Sequence, residues 1–317
     1  MKNFYSLDDV DDLHVLLQEA KQVKQKPFSD QAIGKNKSIC LLFMNPSLRT
    51  RLSSQKAAYN LGMNVSVFEI SKEGWQLEFE DGVIMDSGKA EHIKEAAPVI
   101  GQYFDLIGVR SFAALQNSEE DNQDRILKLF MKYCGKPVIN LESSLLHPLQ
   151  SFTDLFTIEE YRKKEQPKVV LSWAPHPKAL PQAVPNSFVQ WMQAADLELV
   201  VTHPKGYELK EEFSKSVKIE YEQDKALEGA DFVYAKNWSS YHQYGKILSK
   251  DRSWTITNRK MQLTNEAKFM HCLPVRRNMI VADEVLDSNQ SVVIQQAGNR
   301  VIAAQTIFKK LLKDNYG

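Results

Sequence analysis

Three short segments carry residue types that can do chemistry. The first is Phe43-Met44-Asn45-Pro46-Ser47-Leu48-Arg49-Thr50-Arg51. An apolar run, Ile39 to Met44, stops at Asn45-Pro46, and a helical pattern starts at Ser47. Free backbone N–H groups and the positive end of a helix dipole meet at such a junction, which suits an anion. Ser47 and Thr50 add hydroxyls, and the guanidinium forks of Arg49 and Arg51 match phosphate oxygens. The same residues equally read as an ordinary helix cap followed by two surface arginines. Neither G-x-G-x-x-G nor a Walker loop occurs, so classical nucleotide binding is not indicated.

The second segment is His147-Pro148-Leu149-Gln150, just past the strand expected at Pro137 to Leu141. A histidine there can donate to a carbonyl oxygen as it gains negative charge. Gln150 offers a donor and an acceptor, as an amide-like group requires. Read alone, it is a loop histidine beside a turn proline. The third is His271-Cys272-Leu273-Pro274-Val275-Arg276-Arg277, after the apolar run Phe269 to Leu273. Strand ends are where α/β proteins bind ligands. A cysteine is more often an inert core residue, but arginines beside it can lower its pKa.

These segments need elements to position them. Short apolar runs alternate with amphipathic stretches: helices at Asp8 to Gln25, Ser47 to Gly62, Asp86 to Tyr103 and Gln123 to Tyr133; strands at Ile39 to Met44, Asn64 to Ile70, Leu106 to Arg110 and Pro137 to Leu141. This is a β-α-β series, which implies a mainly parallel sheet with helices on both faces. A second series follows Gln166, with strands at Lys168 to Trp173, Leu197 to His203, Asp231 to Lys236, Phe269 to Leu273 and Ser291 to Gln295, and helices at Ala183 to Asp196, Lys225 to Gly229 and Asn299 to Asp314. The expected fold class is α/β with two doubly wound domains. Their expected limits are 1–150 and 151–298, with a C-terminal helix at 299–317. Pro175, Pro177, Pro181 and Pro185 stiffen one loop of the second domain.

Two domains suit 317 residues. Lys+Arg and Asp+Glu both number 40, so no global field points to nucleic acid or an anionic membrane. Three scattered cysteines, Cys40, Cys134 and Cys272, argue for a reducing compartment rather than a disulfide framework. The first residues lack a signal-peptide pattern and no run has the length of a membrane span. A cytoplasmic address is expected. The histidines do not fall at metal-ligand spacing, so no metal is expected.

Taken together, the three segments resemble the aspartate/ornithine carbamoyltransferase family, in which S-x-R-T-R, H-P-x-Q and H-C-L-P follow in this order. Trp75, Gly108-Val109-Arg110-Ser111-Phe112 and Asn299-Arg300 extend the resemblance over almost the whole chain. It implies carbamoyl phosphate as donor, no cofactor, and a homotrimer with shared active sites. It implies that Ser47, Leu48, Arg49, Thr50 and Arg110 hold the phosphate, with Trp75 reaching in from a neighbouring subunit. Leu48 replaces the family's usual threonine, losing a hydroxyl but keeping the backbone N–H. His147 and Arg300 would polarise the carbonyl oxygen, with Gln150, Cys272 and Leu273 near the carbamoyl group. Glu142, His176, Lys236 and Arg276 would bind the acceptor. The C-terminal helix would pack back on the first domain.

The acceptor is read from departures. Ordinary ornithine enzymes carry a D-x-x-x-S-M-G loop for the free amino acid; here the stretch is Lys236-Asn237-Trp238-Ser239-Ser240-Tyr241. A lysine repels an α-ammonium group and attracts a carboxylate, so the acceptor's α-amine is expected to be blocked. Val83-Ile84-Met85-Asp86, Glu91-His92-Ile93, Trp173-Ala174-Pro175-His176-Pro177 and Tyr234-Ala235-Lys236 resemble the N-acylornithine branch, which implies a knotted second domain. Before the Glu-His pair, the acetyl enzymes place glutamate and the succinyl enzymes proline; here stands Ala90. An alanine removes a charge that would repel a succinyl carboxylate, and Pro181 to Ser187 also resembles the succinyl side. N-succinylornithine is therefore the expected acceptor, N-acetylornithine the alternative, and a non-catalytic carbamoyl phosphate-binding scaffold the remoter one.

Overall fold

A computed structural model describes residues 1–70 and 75–317. The chain divides into two compact units. The first holds residues 1–113, 119–149 and 300–317; the second holds 114–118 and 150–299.

In the first unit, β1 (Ser38–Phe43), β2 (Asn64–Glu69), β3 (Leu77–Glu78), β4 (Glu91–His92), β5 (Leu106–Arg110) and β6 (Val138–Glu142) form two sheets. The main sheet has the order β2-β1-β5-β6, every pairing parallel, and β3 pairs with β4 beside it. β1, β5 and β6 are almost wholly buried apolar runs, as strands covered on both faces must be. Gly108 lies in this core because a Cβ there would meet Leu141 and Leu41 at 2.9 and 3.0 Å. Phe4 adds a rung to the outer side of β6, donating to Val138 O at 2.9 Å and accepting from Asn140 N at 2.8 Å.

In the second unit, β7 (Lys168–Trp173), β8 (Glu198–Thr202), β9 (Lys218–Glu220), β10 (Phe232–Lys236) and β11 (Lys268–Met270) form a parallel sheet in the order β11-β10-β7-β8-β9. Val170, Val200, Val233 and Phe269 from this sheet pack with Ile256, Val281 and Val285.

The expected α/β class with mainly parallel sheets is the one observed. Several limits differ, each for a local reason. The first helix is Leu13–Gln25, because Asp12 caps it by accepting from Val15 N at 3.0 Å; Leu7–Asp9 is a separate 3-10 turn. The helix expected from Asp86 starts at Ile93, since Glu91 and His92 are taken up by β4. The helix expected from Gln123 starts at Arg125, after Asp124 in a left-handed conformation (φ 47°). The expected strand Ser291 to Gln295 is not a strand. Ser291 makes one bridge to Phe269, and the helix Val293–Tyr316 begins in its place. Its β-branched residues favour a strand, but burial at 292, 293, 296, 299, 300 and 303 follows a helical period.

Candidate active site

In the first unit, the ends of β1, β5 and β6 stand side by side: Phe43 is opposite Arg110, and Arg110 opposite Glu142. Helix Leu48–Asn60 leaves directly after β1, and Ser47 is its N-cap. The Ser47 hydroxyl does not cap that helix. It donates instead to Thr50 Oγ1 at 3.0 Å, which also accepts from Arg300 Nη2 at 2.8 Å. The reading as an ordinary cap therefore fails at Ser47. Leu48 is 67% exposed and Arg49 half-buried. Arg51 turns away to pair with Glu69 on β2 at 3.3 Å, so it is not a second fork at this junction.

Arg110 is buried and held from two sides. Its Nε and Nη2 donate to Glu142 Oε2 at 3.1 and 2.8 Å, and its Nη1 donates to Asn45 O at 2.9 Å. His147 Nε2 lies 3.8 Å from the same Glu142 oxygen. Glu142 thus sits against two cation-forming side chains, which offsets the cost of burying its charge. Asn45 was missed from sequence: its Oδ1 accepts from Phe112 N at 2.8 Å and ties the β1 and β5 ends together.

Trp75 and Ala90 occupy one exposed ledge. Trp75 is 56% exposed and its Nε1 donates to Glu91 Oε2 at 3.0 Å, while Ala90 N donates to Gln76 O at 2.8 Å.

The second unit carries Gln150, His176, Lys236, Cys272, Leu273 and Arg276. Gln150 Nε2 donates to Asp154 Oδ1 at 2.7 Å, one turn further along helix Pro148–Tyr161. The same oxygen accepts from Gln296 Nε2 at 2.6 Å. Gln296 Oε1 in turn accepts from His271 N at 2.9 Å, and Leu273 N donates to His271 Nδ1 at 2.8 Å. Leu273 adopts a left-handed conformation (φ 55°), costly for a leucine and sustained by these bonds; the Leu273–Pro274 bond is cis. The fully buried Tyr234 hydroxyl interacts with Asp154 and Cys272, and burial first, then those two groups, push it well above the usual phenol range. Asp154 was missed from sequence, where the signal was its place four residues after Gln150, one turn along the same helix.

His176, Lys236 and Arg276 come together. Arg276 Nε donates to His176 Nε2 at 3.1 Å, and His176 Nδ1 lies 2.8 Å from Lys178 O and 3.1 Å from Lys178 N. Burial first, and then the charges of Lys236, Arg276 and Lys178, lower the His176 pKa. Lys236 is buried at the end of β10, with Nζ 3.1 Å from Asn237 O. Arg277 belongs elsewhere: it pairs with Asp283 at 2.8 Å and Asp287 at 2.6 Å. The two adjacent arginines thus have different work, Arg277 folding its own loop and Arg276 facing His176. This cluster suits an anionic ligand. Among the described residues no group of three or more His, Cys, Asp or Glu could hold a metal ion.

Two family models cover most of the chain: the carbamoyl-P binding domain of aspartate/ornithine carbamoyltransferases matches residues 2–160, and their Asp/Orn binding domain matches 181–311. The chain belongs to the aspartate/ornithine carbamoyltransferase family. Within that family it is 55% identical to the N-succinylornithine carbamoyltransferase of Bacteroides thetaiotaomicron over 99% of each chain. It is 35% identical to the N-acetylornithine carbamoyltransferase of Xanthomonas campestris pv. campestris over 98% of each. Among solved structures, an N-acetyl-L-ornithine transcarbamylase with a Glu-to-Ala substitution, complexed with carbamyl phosphate and N-succinyl-L-norvaline, matches at a TM-score of 0.93 and 35% identity, covering 98% of this chain and 100% of that one. Acetylornithine transcarbamylase complexed with acetylcitrulline matches at 0.92 and 34%, covering 98% and 99%. No helix among the described residues of this carbamoyltransferase-family chain is long and apolar enough to cross a membrane.

Proposed function

We propose that this chain transfers the carbamoyl group of carbamoyl phosphate to the δ-amine of N-succinyl-L-ornithine, releasing phosphate and N-succinyl-L-citrulline, a step of arginine biosynthesis. The observation that carries the acceptor is the cationic cluster of His176, Lys236 and Arg276. N-succinylornithine presents two carboxylates and no α-ammonium, so its charges complement this cluster. Free ornithine would bring an ammonium group against Lys236. The succinyl arm is supported by Ala90, placed by resemblance where the acetyl enzymes have glutamate, and by the Glu-to-Ala acetyl enzyme that holds a succinyl ligand.

In this reading Ser47, the Leu48 N–H, Arg49, Thr50 and Arg110 take the phosphate oxygens. Thr50 also holds Arg300, so phosphate and carbonyl donors are positioned together. The δ-amine has a pKa of about 10 and must lose a proton before it attacks the carbonyl carbon. Attack creates an oxyanion, stabilised by His147 and Arg300, and its collapse expels phosphate. No covalent enzyme intermediate is needed. Positioning and oxyanion donors supply the rate. The presence of His147, Cys272 and Arg300 counts against a scaffold without activity. The exposed Trp75 ledge supports a homotrimer in which Trp75 completes a neighbour's site, and the biosynthetic relatives support a cytoplasmic address.

The test is carbamoylation of ornithine, N-acetylornithine and N-succinylornithine by the purified protein with labelled carbamoyl phosphate. The expected order puts the succinyl compound first. Preference for free ornithine would overturn the acceptor reading, and no turnover with any of the three would overturn the enzyme itself.

A further inference from the structure

Gln150 poses a chemical problem. By family resemblance it meets the carbamoyl group, whose NH2 is a donor and whose oxygen is an acceptor. A glutamine amide can turn over by 180°, exchanging its own oxygen and NH2 at little steric cost. One orientation presents an acceptor to the carbamoyl NH2; the other sets NH2 against NH2. Something must fix the orientation.

Asp154 has the chemistry to do so. It is fully buried, lies four residues after Gln150, and receives the Gln150 NH2 at 2.7 Å. An oxygen that accepts from an amide NH2 rejects the flipped amide, whose own oxygen would face it. We propose that Asp154 is a positioning residue that locks the Gln150 amide with its NH2 turned inward and its oxygen turned to the carbamoyl NH2. The same carboxylate oxygen accepts from Gln296, which holds the backbone of His271. One buried carboxylate therefore sets both the H-P-L-Q amide and the H-C-L-P turn. Two glutamine amides thus converge on one Asp154 oxygen.

The proposal rests on the carbamoyl-transfer reading, and a variant cycle separates the two. Wild-type turnover of N-succinylornithine is measured first; its absence sinks the functional reading and with it this inference. Given turnover, Asp154→Asn should lower kcat/KM for carbamoyl phosphate about 100-fold, because an asparagine no longer rejects the flipped amide. Inhibition by inorganic phosphate should change less than about twofold, since the phosphate is assigned to Ser47, Thr50 and Arg110. Gln150→Glu alone should fail at neutral pH, with two carboxylates facing each other. The double variant, Gln150→Glu with Asp154→Asn, restores the pattern. Its introduced asparagine donates to the introduced glutamate and accepts from Gln296, which leaves a glutamate oxygen for the carbamoyl NH2. It should recover at least about tenfold over either single variant, a gain that general destabilisation cannot produce. Losses that simply add would overturn the lock. If Asp154→Asn does not fold, the Gln150→Glu pH profile decides. Two facing carboxyls share a proton, so one titrates high and activity relative to wild type should rise on acidification. A pH profile parallel to wild type would overturn the proposal.

Discussion

Arg110 and Glu142 are partners before any substrate arrives. Arg110→Ala would remove a proposed phosphate donor and leave the buried Glu142 carboxylate short of its main counter-charge. The expected outcome is at least a 100-fold loss in kcat/KM for carbamoyl phosphate and about 2–3 kcal/mol of stability, read from steady-state kinetics and urea melts. Ala90→Glu should move preference from the succinyl to the acetyl acceptor by at least about tenfold, through repulsion between the new carboxylate and the succinyl terminus. Unchanged succinyl turnover would remove Ala90 from the specificity argument. His176 gives a pH prediction with a definite sign. Burial first, and then the charges of Lys236, Arg276 and Lys178, lower its pKa, and the charges of a bound dicarboxylate oppose those of the three cations. Binding should therefore take up a proton as the pH falls towards and below the ordinary histidine value of 6.5. N-succinyl-L-norvaline, which lacks a δ-amine, isolates this from the chemistry. Calorimetry in two buffers of different ionisation enthalpy should show proton uptake, absent in His176→Asn.

At the scale of elements, the parallel strands were legible because they are short, apolar and doubly covered. The junction before Leu48 was legible because a strand, a proline and a helix start meet there. What stayed hidden was cooperative. Nothing local marks Asp154 as the partner of Gln296, 142 positions away, or Thr50 as the acceptor for Arg300, 250 positions away. The run Ser291 to Gln295 misled because β-branched residues favour strands until tertiary packing selects a helical period. Gly101 was equally silent. A Cβ there, on helix Ile93–Tyr103, would fall inside contact distance of the Cys134 carbonyl. Gly101→Ala should therefore lower stability by about 1–3 kcal/mol despite alanine's better helix propensity, and a higher melting temperature would refute that packing.

For the whole molecule, the proposed sharing of sites makes inactive variants complementary. Trp75→Ala and Arg110→Ala subunits, unfolded together and refolded as an equal mixture, should regain about a quarter of wild-type activity, because a two-to-one trimer contains one site with both residues intact. Separate refolding should regain none. The division of the chain also bears on its synthesis. The first unit comprises residues 1–149 apart from 114–118, yet it is finished only by residues 300–317, where Arg300 meets Thr50 and Gln305 meets Asn60. A ribosome delivers those contacts only after the whole second unit. The carbamoyl phosphate half must wait, partly assembled, while the other half is translated, and a nascent chain stalled before residue 300 would hold a complete parallel sheet but not the arginine that fixes Thr50.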